Sequence, residues 1–195
     1  VSKAQFTLAQ AAWQALSAPT PEALQALLQE DLEALPFLKA ALLRFCREFP
    51  WSRDGLTLSE RRLLTALQSP PAELPRQKAM LSEERYRTFM SRYGSFPLIF
   101  CSYMDMEEAP FMGDLVAKRL LDDLCAGDNP LLVRMAEDRE MPMSPATTYA
   151  LTAAGRALLA GAEQSPAVVK RGWRGGVDLA TVPWAWDETA QRFTR

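Results

Sequence analysis

The stretch KRGWRGGVDLATVPWAWD, residues 170–187, combines three tryptophans, three glycines and three cations. Gly175 and Gly176 give the backbone the freedom for a sharp turn or a close approach to another segment. Trp184 and Trp186 alternate around Ala185, which places both rings on one side of a strand. Each ring can bury roughly 150–250 Å² of surface. The stretch is therefore predicted to close the fold by packing onto the preceding helices.

The same alternation predicts how the stretch pairs with itself. Val177 and Leu179 flank Asp178, so this run and the tryptophan run are predicted to form paired strands about residues 181–183. The alternative is a recognition surface, in which Trp173 with Arg171 or Arg174 stacks on a base or nucleotide. The candidate structural or interaction residues are Trp173, Arg174, Gly175, Gly176, Trp184, Trp186 and Asp187.

The composition is that of an ordinary globular protein, with 48% hydrophobic and 24% charged residues in a chain of 195. A helical region over residues 1–50 and a second unit over 51–195 are expected to form one compact domain. A chain that begins at Val1 is expected to be a processed product, a trimmed chain or part of a longer protein. The N-terminus has no secretion signal and no apolar run reaches membrane-spanning length, so a cytoplasmic protein without a membrane partner is expected.

Histidine is absent, which excludes Ser-His-Asp and Cys-His catalysis and imidazole metal sites from this chain acting alone. The three cysteines have no CxxC spacing and are predicted to be buried, reduced thiols. No nucleophile elbow, phosphate-binding loop or dinucleotide fingerprint is present. No cofactor is expected, and catalysis is not favoured.

Apolar spacing predicts a mainly helical α+β fold. An N-terminal helical hairpin is predicted from Phe6, Ala9, Trp13 and Leu16 in one helix and Leu38, Leu42, Phe45 and Phe49 in the next. Residues 82–93 are predicted to form a helix, and residues 96–103, FPLIFCSY, a strand bounded by Pro97. Residues 114–124 are predicted to form a helix that buries Leu115, Leu120, Leu121 and Leu124.

Two strands, 131–135 and 148–151, and a short helix from residue 151 follow. The whole order resembles a winged helix, with Thr152 as the cap of the last helix and Gly155 permitting close packing. A C-terminal β-hairpin is predicted to complete the unit.

A family resemblance rests on the order of several motifs. The segments ALPFLKAALLRFCREFP, GLTLSERRLL, PFMGD, LTAAGRALLAG, GGVDL and WAWD together resemble the C-terminal portion of bacterial proteins with the domain of unknown function 1835. The resemblance implies a cytoplasmic bacterial protein and supplies no activity. The chain departs from the family at Asp178, where members usually have His, and at Ala185, where they usually have Arg. Members usually also have an additional N-terminal domain with a His and a Gly-Asp-Ser turn, neither of which occurs in residues 1–195.

A DNA-binding regulator is the first alternative function, because winged helices often place one helix in the major groove. The contact candidates on residues 113–125 are Lys118 and Arg119. Residues 101–150 hold four cations and ten carboxylates, a net charge of −6. Binding to phosphates requires several convergent cations, so this acidic balance disfavours DNA.

Carboxylates and thioethers suggest two further chemistries. Asp105, Glu107 and Glu108, with Asp114, have the ligand type for Mg²⁺ or Ca²⁺ or for acid–base catalysis. They equally suit the positive end of a helix dipole. The Met-x-Met pairs at 104–106 and 141–143 have the donor type for Cu(I), although core filling by methionine is the more common role.

A protein-interaction or assembly module is therefore the favoured function, with self-association or a protein partner expected. A DNA-binding regulator and a carboxylate-dependent enzyme or ligand-binding module are the alternatives.

Overall fold

The computed structural model describes residues 1–162 and 172–195 and confirms a mainly helical α+β fold. The helices are α1 (Lys3–Ser17), α2 (Glu22–Leu27), α3 (Leu38–Cys46), α4 (Leu58–Gln68), α5 (Pro75–Met80), α6 (Glu83–Ser91), α7 (Phe96–Asp105), α8 (Asp114–Leu124) and α9 (Ala153–Leu159). The strands pair antiparallel as β1 (Leu132–Ala136) with β2 (Thr148–Leu151), β3 (Trp173–Arg174) with β4 (Val177–Asp178), and β5 (Ala185–Asp187) with β6 (Arg192–Thr194). Within these ranges, no helix combines the length and apolarity that crossing a membrane requires.

The described residues divide into two compact units. Unit 1 consists of Val1–Leu58 together with residues 172–195, and unit 2 is Ser59–Ala162. This grouping differs from the expected boundary near residue 50, because the C-terminal residues belong with the N-terminal helices and not with the second unit.

The core of unit 1 joins the N-terminal helices to the C-terminal strands. Its buried members are Ala12, Ala15, Leu24, Leu27, Leu28, Leu32, Leu42, Cys46, Phe49, Val177, Leu179, Trp184 and Trp186. The rings of Phe49 and Trp186 both meet Phe193 edge to face, with centroids 4.8 and 5.0 Å apart. The predicted stripe of α3 is confirmed, because Leu42 and Phe49 are buried and Leu38 and Phe45 pack against the same core.

The predicted face of α1 is wrong. Ala12 and Ala15 are buried, whereas Phe6 is 67% and Trp13 is 72% exposed. Small side chains let a helix approach its neighbours closely, so the alanine face packs inward although the aromatic face is more hydrophobic. The spacing of apolar residues does not reveal which of two overlapping faces will be covered.

The C-terminal strands contain the predicted glycine turn but not the predicted pairing. Gly175 and Gly176 connect β3 to β4, and Gly175 has a positive φ of 58°. The expected pairing of 177–179 with 184–186 is wrong, because β4 pairs with β3 and β5 pairs with β6. A two-residue glycine turn closes a local hairpin, and Asp187 forms the second turn by accepting the N–H groups of Thr189 and Ala190.

Unit 2 contains α4 from its second residue onward, α5 to α9, and the β1–β2 hairpin. The Thr152 side chain accepts the N–H of Gly155 and caps α9 at 3.1 Å, as predicted. A side chain at Gly155 would meet the Leu131 carbonyl oxygen, which confirms close packing there. The helix predicted over residues 82–93 is α6, which ends at Ser91, three residues before Gly94 with its φ of 75°.

Residues 96–103 form helix α7 and not the predicted strand. Pro97 lies in the first helical turn, a position that tolerates its missing N–H. Phe96, Leu98, Ile99, Ser102 and Tyr103 are buried. A short continuous apolar run is compatible with either a buried strand or a buried helix, and the start signal at Pro97 favours the helix.

Candidate interaction surface

The tail tryptophans Trp184 and Trp186 are both buried, in keeping with the prediction that at least one of them is. Trp186 is 1% exposed, and its indole N–H donates to Glu188 Oε2 at 2.8 Å. The same carboxylate is held by Arg47, whose Nη2 lies 2.7 Å from Glu188 Oε1. The Trp186 backbone bonds to both Pro50 and Ser52, at 2.8 and 3.0 Å. These contacts tie β5 to the segment that follows α3.

The neighbouring candidates of the tail also act as anchors. A side chain at Gly175 or Gly176 would meet the carbonyl oxygens of Leu16 or Ser17 at the end of α1. Arg174 Nε donates to the Glu48 carbonyl at 2.7 Å. These residues therefore hold the turn against the helices.

Trp173 is the exception in the tail, because it is 66% exposed. Its stacking partner in the alternative hypothesis, Arg174, is committed to the Glu48 carbonyl. Arg171 lies outside the described residues. Among the described tail residues, Trp173 thus presents an exposed indole, and Arg174 Nη1 donates to its backbone carbonyl at 3.0 Å.

In unit 2, the DNA-contact candidate Lys118 is 8% exposed and belongs to a charge network. We name this group the Asp122 network; its members are Lys118, Asp122, Arg134, Glu137 and Tyr149. Lys118 Nζ lies 2.6 Å from Asp122 and 3.5 Å from Glu137. Arg134 contacts the same two carboxylates at 2.9 and 2.7 Å.

The Asp122 network joins α8 to the β1–β2 hairpin. Two cations face two carboxylates, so the formal charges of these four side chains cancel. The Tyr149 hydroxyl donates to Asp122 Oδ1 at 3.1 Å. Burial and the Asp122 carboxylate raise the pKa of Tyr149, which keeps the phenol protonated as a donor. Lys118 and Arg134 are consequently engaged within the unit and are poorly placed to neutralise phosphates.

The solvent side of α8 carries two aliphatic side chains, one cation and two carboxylates, Asp114 and Asp123. Leu115 is 71% and Val116 is 54% exposed, although Leu115 was predicted to be buried. The second DNA-contact candidate, Arg119, is exposed and lies 3.9 Å from Asp123 one turn away. Ala117, Leu121 and Leu124 form the buried side instead. We call Leu115, Val116 and Arg119 the outer face of α8.

The β1–β2 hairpin adds exposed apolar side chains. Along β1, Arg134 belongs to the Asp122 network, whereas Val133 and Met135 are exposed on the other face. The loop between the strands is ordered by Asp138, which accepts the N–H groups of Glu140 and Met141 and the hydroxyl of Ser144. The Met141 and Ser144 hydrogen bonds lower the pKa of Asp138. The hairpin therefore presents a fixed shape to solvent.

The carboxylate candidates do not converge. Glu107 is buried, and its Oε2 lies 2.5 Å from Arg62 Nη1, while Asp105, Glu108 and Asp114 are exposed. Among residues 1–162 and 172–195, no group of three or more histidine, cysteine or acidic side chains is arranged to hold a metal ion. Met104 lies in α7 and Met106 is its C-cap, so this Met-x-Met pair does not have the extended backbone that points both side chains to one side.

The thiols differ in burial. Cys46 is buried as predicted, and Cys101 and Cys125 are partly exposed. Burial raises the pKa of Cys46 to about 12. Its thiol is therefore protonated and part of the apolar core at neutral pH.

Comparison with known proteins adds no assignment, because no family model, curated protein or solved structure matches the chain. The resemblance to the domain of unknown function 1835 family thus stays a prediction.

The exposed pair Leu115–Val116 was not predicted from the sequence. One sequence signal could have indicated which side of α8 faces the hairpin. Lys118 and Asp122 stand four residues apart, the spacing of an intrahelical ion pair, and the structure places this pair on the side of α8 that faces the hairpin.

Proposed function

We propose that the chain is a non-catalytic module for protein interaction or assembly, in which unit 2 is a winged-helix-like unit. The order α4, α7, α8, β1, β2 and α9 supports the winged-helix assignment. A backbone bridge between Ser95 and Thr148 supports it further, because it adds a short third strand position beside the hairpin. Topology alone does not assign a function, so the proposal depends on what α8 and the hairpin present.

The observation that carries the proposal is the outer face of α8. In a DNA-binding winged helix this helix supplies cations and polar donors to the major groove. Here the exposed positions include the aliphatic Leu115 and Val116, the exposed cation Arg119 lies 3.9 Å from Asp123, and Lys118 is neutralised inside the Asp122 network. Exposed aliphatic side chains gain free energy when a partner covers them, at roughly 25 cal/mol per Å². An apolar protein surface fits this helix better than a phosphate backbone does.

The charge around this face specifies the partner further. Asp114 and Asp123 lie on α8 itself, and residues 101–150 have a net charge of −6. Electrostatic complementarity at an interface rim raises the association rate and excludes wrong partners. The partner we propose is therefore a protein surface with an apolar centre and a lysine- or arginine-bearing rim.

The test places a photo-crosslinking residue at position 115 in cells, with the same residue at exposed Lys39 in unit 1 as the control. A protein crosslinked from position 115 alone is then purified, and its binding to the full chain is measured. We expect Leu115→Ser to weaken binding about tenfold or more and the neighbouring Arg119→Ser to have a smaller effect. Crosslinks that are equal at both positions, or binding that is unchanged by Leu115→Ser, would contradict the proposal.

Titration with mixed-sequence duplex DNA at low salt tests the regulator alternative. Submicromolar binding that weakens steeply with salt would replace the proposal with DNA binding. Calorimetric titration with Mg²⁺ and Ca²⁺ tests the enzyme or ligand-binding alternative. A stoichiometric site that is lost in Glu107→Gln would favour carboxylate chemistry, although we expect none because Glu107 is paired with Arg62.

A further inference from the structure

A groove along α6 in unit 2 is independent of the outer face of α8. It has a volume of about 430 Å³ and is lined by Leu81, Glu84, Arg85, Thr88, Phe89 and Arg92. Arg85 and Thr88 lie on one face of α6, and its C-cap Arg92 continues that spacing, whereas Leu81 precedes the helix in an extended conformation. The groove therefore combines two apolar side chains, Leu81 and Phe89, with two guanidiniums.

The cations of the groove differ from those around it. Lys78 pairs with Glu73 at 2.6 Å, and Arg87 pairs with Glu83 at 3.2 Å. Arg85 and Arg92 have no carboxylate within ion-pair distance among the described residues, and both are exposed. Glu84 is the carboxylate that lines the groove, so the two guanidiniums leave a formal charge of +1 there.

The floor of the groove packs against buried side chains of unit 2. Leu81 and Phe89 pack against a small core of Leu74, Tyr86 and Leu98. The Leu74 N–H donates to the Tyr86 hydroxyl at 2.9 Å, which fixes the start of α5 to α6. A preformed apolar floor lowers the ordering cost of binding.

We propose that this groove binds an amphipathic helix of another protein, one that carries two carboxylates seven residues apart and aliphatic residues between them. Arg85 and Arg92 are also seven residues apart, two helical turns or roughly 10 Å along the axis. Carboxylates at positions i and i+7 of a helix lying along α6 match that distance. Aliphatic side chains at i+3 and i+4 then meet Phe89, which lies between the two arginines, as in other helix-in-groove complexes.

The occupant is another protein because this chain does not supply such a helix. Within each described helix, no two carboxylates stand seven positions apart. In the whole sequence the spacing occurs at Glu107 and Asp114, which lie in different segments, and Glu107 is buried against Arg62. A second copy therefore lacks the complementary charges.

The experiment uses a designed, end-capped, fluorescein-labelled helical peptide with Glu at i and i+7 and Leu at i+3 and i+4. Its control has Gln at both Glu positions. Binding to the full chain is followed by anisotropy. We expect saturable binding of the Glu peptide that falls about tenfold in Arg85→Gln and in Arg92→Gln, since each loses a charge-assisted hydrogen bond. Arg87→Gln removes a cation from the same helix outside the groove and should leave binding unchanged, while Glu84→Gln should strengthen it.

Three results would overturn the proposal. The first is no saturable binding of the Glu peptide up to about 1 mM, the weakest affinity that a specific site would show. The second is an equal loss in Arg87→Gln, or equal binding of the Gln peptide, since either indicates non-specific attraction. The third is that another occupant binds the groove and loses binding about tenfold in Arg85→Gln and in Arg92→Gln, as expected for the Glu peptide. The occupants to test are single-stranded DNA, by anisotropy, and a second copy of the chain, by sedimentation. Leu115→Ser should not affect peptide binding, so failure here and failure of the proposed function are distinguishable.

Discussion

Replacing Trp186 by Ala tests whether the tail closes unit 1. Trp186 is 1% exposed and packs edge to face with Phe193, whose ring also meets Phe49. The substitution removes the indole from the centre of the core and also leaves Glu188 without one of its donors. The remaining ion pair with Arg47 keeps that carboxylate from becoming unpaired, so the packing loss dominates.

The expected magnitude follows from the buried area. A tryptophan that buries roughly 150–250 Å² contributes about 4–6 kcal/mol at about 25 cal/mol per Å². Truncations of buried aromatic residues to Ala cost about 3–5 kcal/mol. This is a large share of the roughly 5–15 kcal/mol that stabilises a domain. Because each 1 kcal/mol shifts Tm by about 4–8 °C in a domain of 60–100 residues, a fall of more than about 10 °C is expected.

The assay is thermal and urea unfolding followed by far-UV circular dichroism, which does not depend on tryptophan emission. Trp173→Ala is the matched control, because Trp173 lies in the same tail and is 66% exposed; its Tm should stay within about 2 °C of the parent chain. A chain without residues 172–195 should be strongly destabilised or insoluble. The reasoning is refuted if Trp186→Ala melts with the parent chain, or if the truncated chain keeps its Tm and loses a ligand.

Three further perturbations have definite expected outcomes. Gly176→Ser should destabilise unit 1 by about 2 kcal/mol in urea unfolding, because the new Cβ would meet the Ser17 backbone. Gly113→Ser is the control: its Cβ would enter open space, and the free energy of unfolding should change by less than about 0.5 kcal/mol. The lowered pKa of Asp138 means that its stabilising effect is present above the ordinary aspartate range and is lost as pH falls through the folded-state pKa. The free energy of unfolding should therefore fall more steeply from about pH 5 to pH 2 in the parent chain than in Asp138→Asn, and equal slopes would contradict this reading. Cys46, with a pKa of about 12, should resist iodoacetamide in the folded chain and react only in urea. Peptide mass mapping measures this labelling, and rapid labelling of the folded chain would show that Cys46 is not enclosed in the core.

Local features of unit 1 were predictable because they depend on a few neighbouring residues. The turn at Gly175–Gly176 follows from backbone freedom, and the burial of both tail tryptophans follows from their alternation. The pairing of β5 with β6 was not predictable in this way. It depends on Phe193, six residues beyond the tail motif, packing on Trp186 and Phe49.

The candidate surface was predictable only in part. The acidic balance of residues 101–150 predicted few cations free for DNA contact, and the structure shows Lys118 buried, whereas Arg119 is exposed. The apolar outer face of α8 was missed, because Leu115 fits the helical period of the core as well as Leu121 does. The groove along α6 was also not predicted, since the spacing of its basic residues is equally typical of an ordinary solvent-exposed helix face.

The sequence by itself determined the elements whose signals are local: the helices with strong apolar spacing, the cap at Thr152, the glycine turn, and the exclusion of histidine chemistry. The tertiary structure decided which faces are covered. Trp13 and Leu115 are as hydrophobic as many core residues, yet both are exposed, while Lys118 is buried because Asp122 and Glu137 compensate its charge. Periodicity specifies that a helix has an apolar side, but burial depends on which residues distant in the chain pack against that side, and this information is not contained in any one segment.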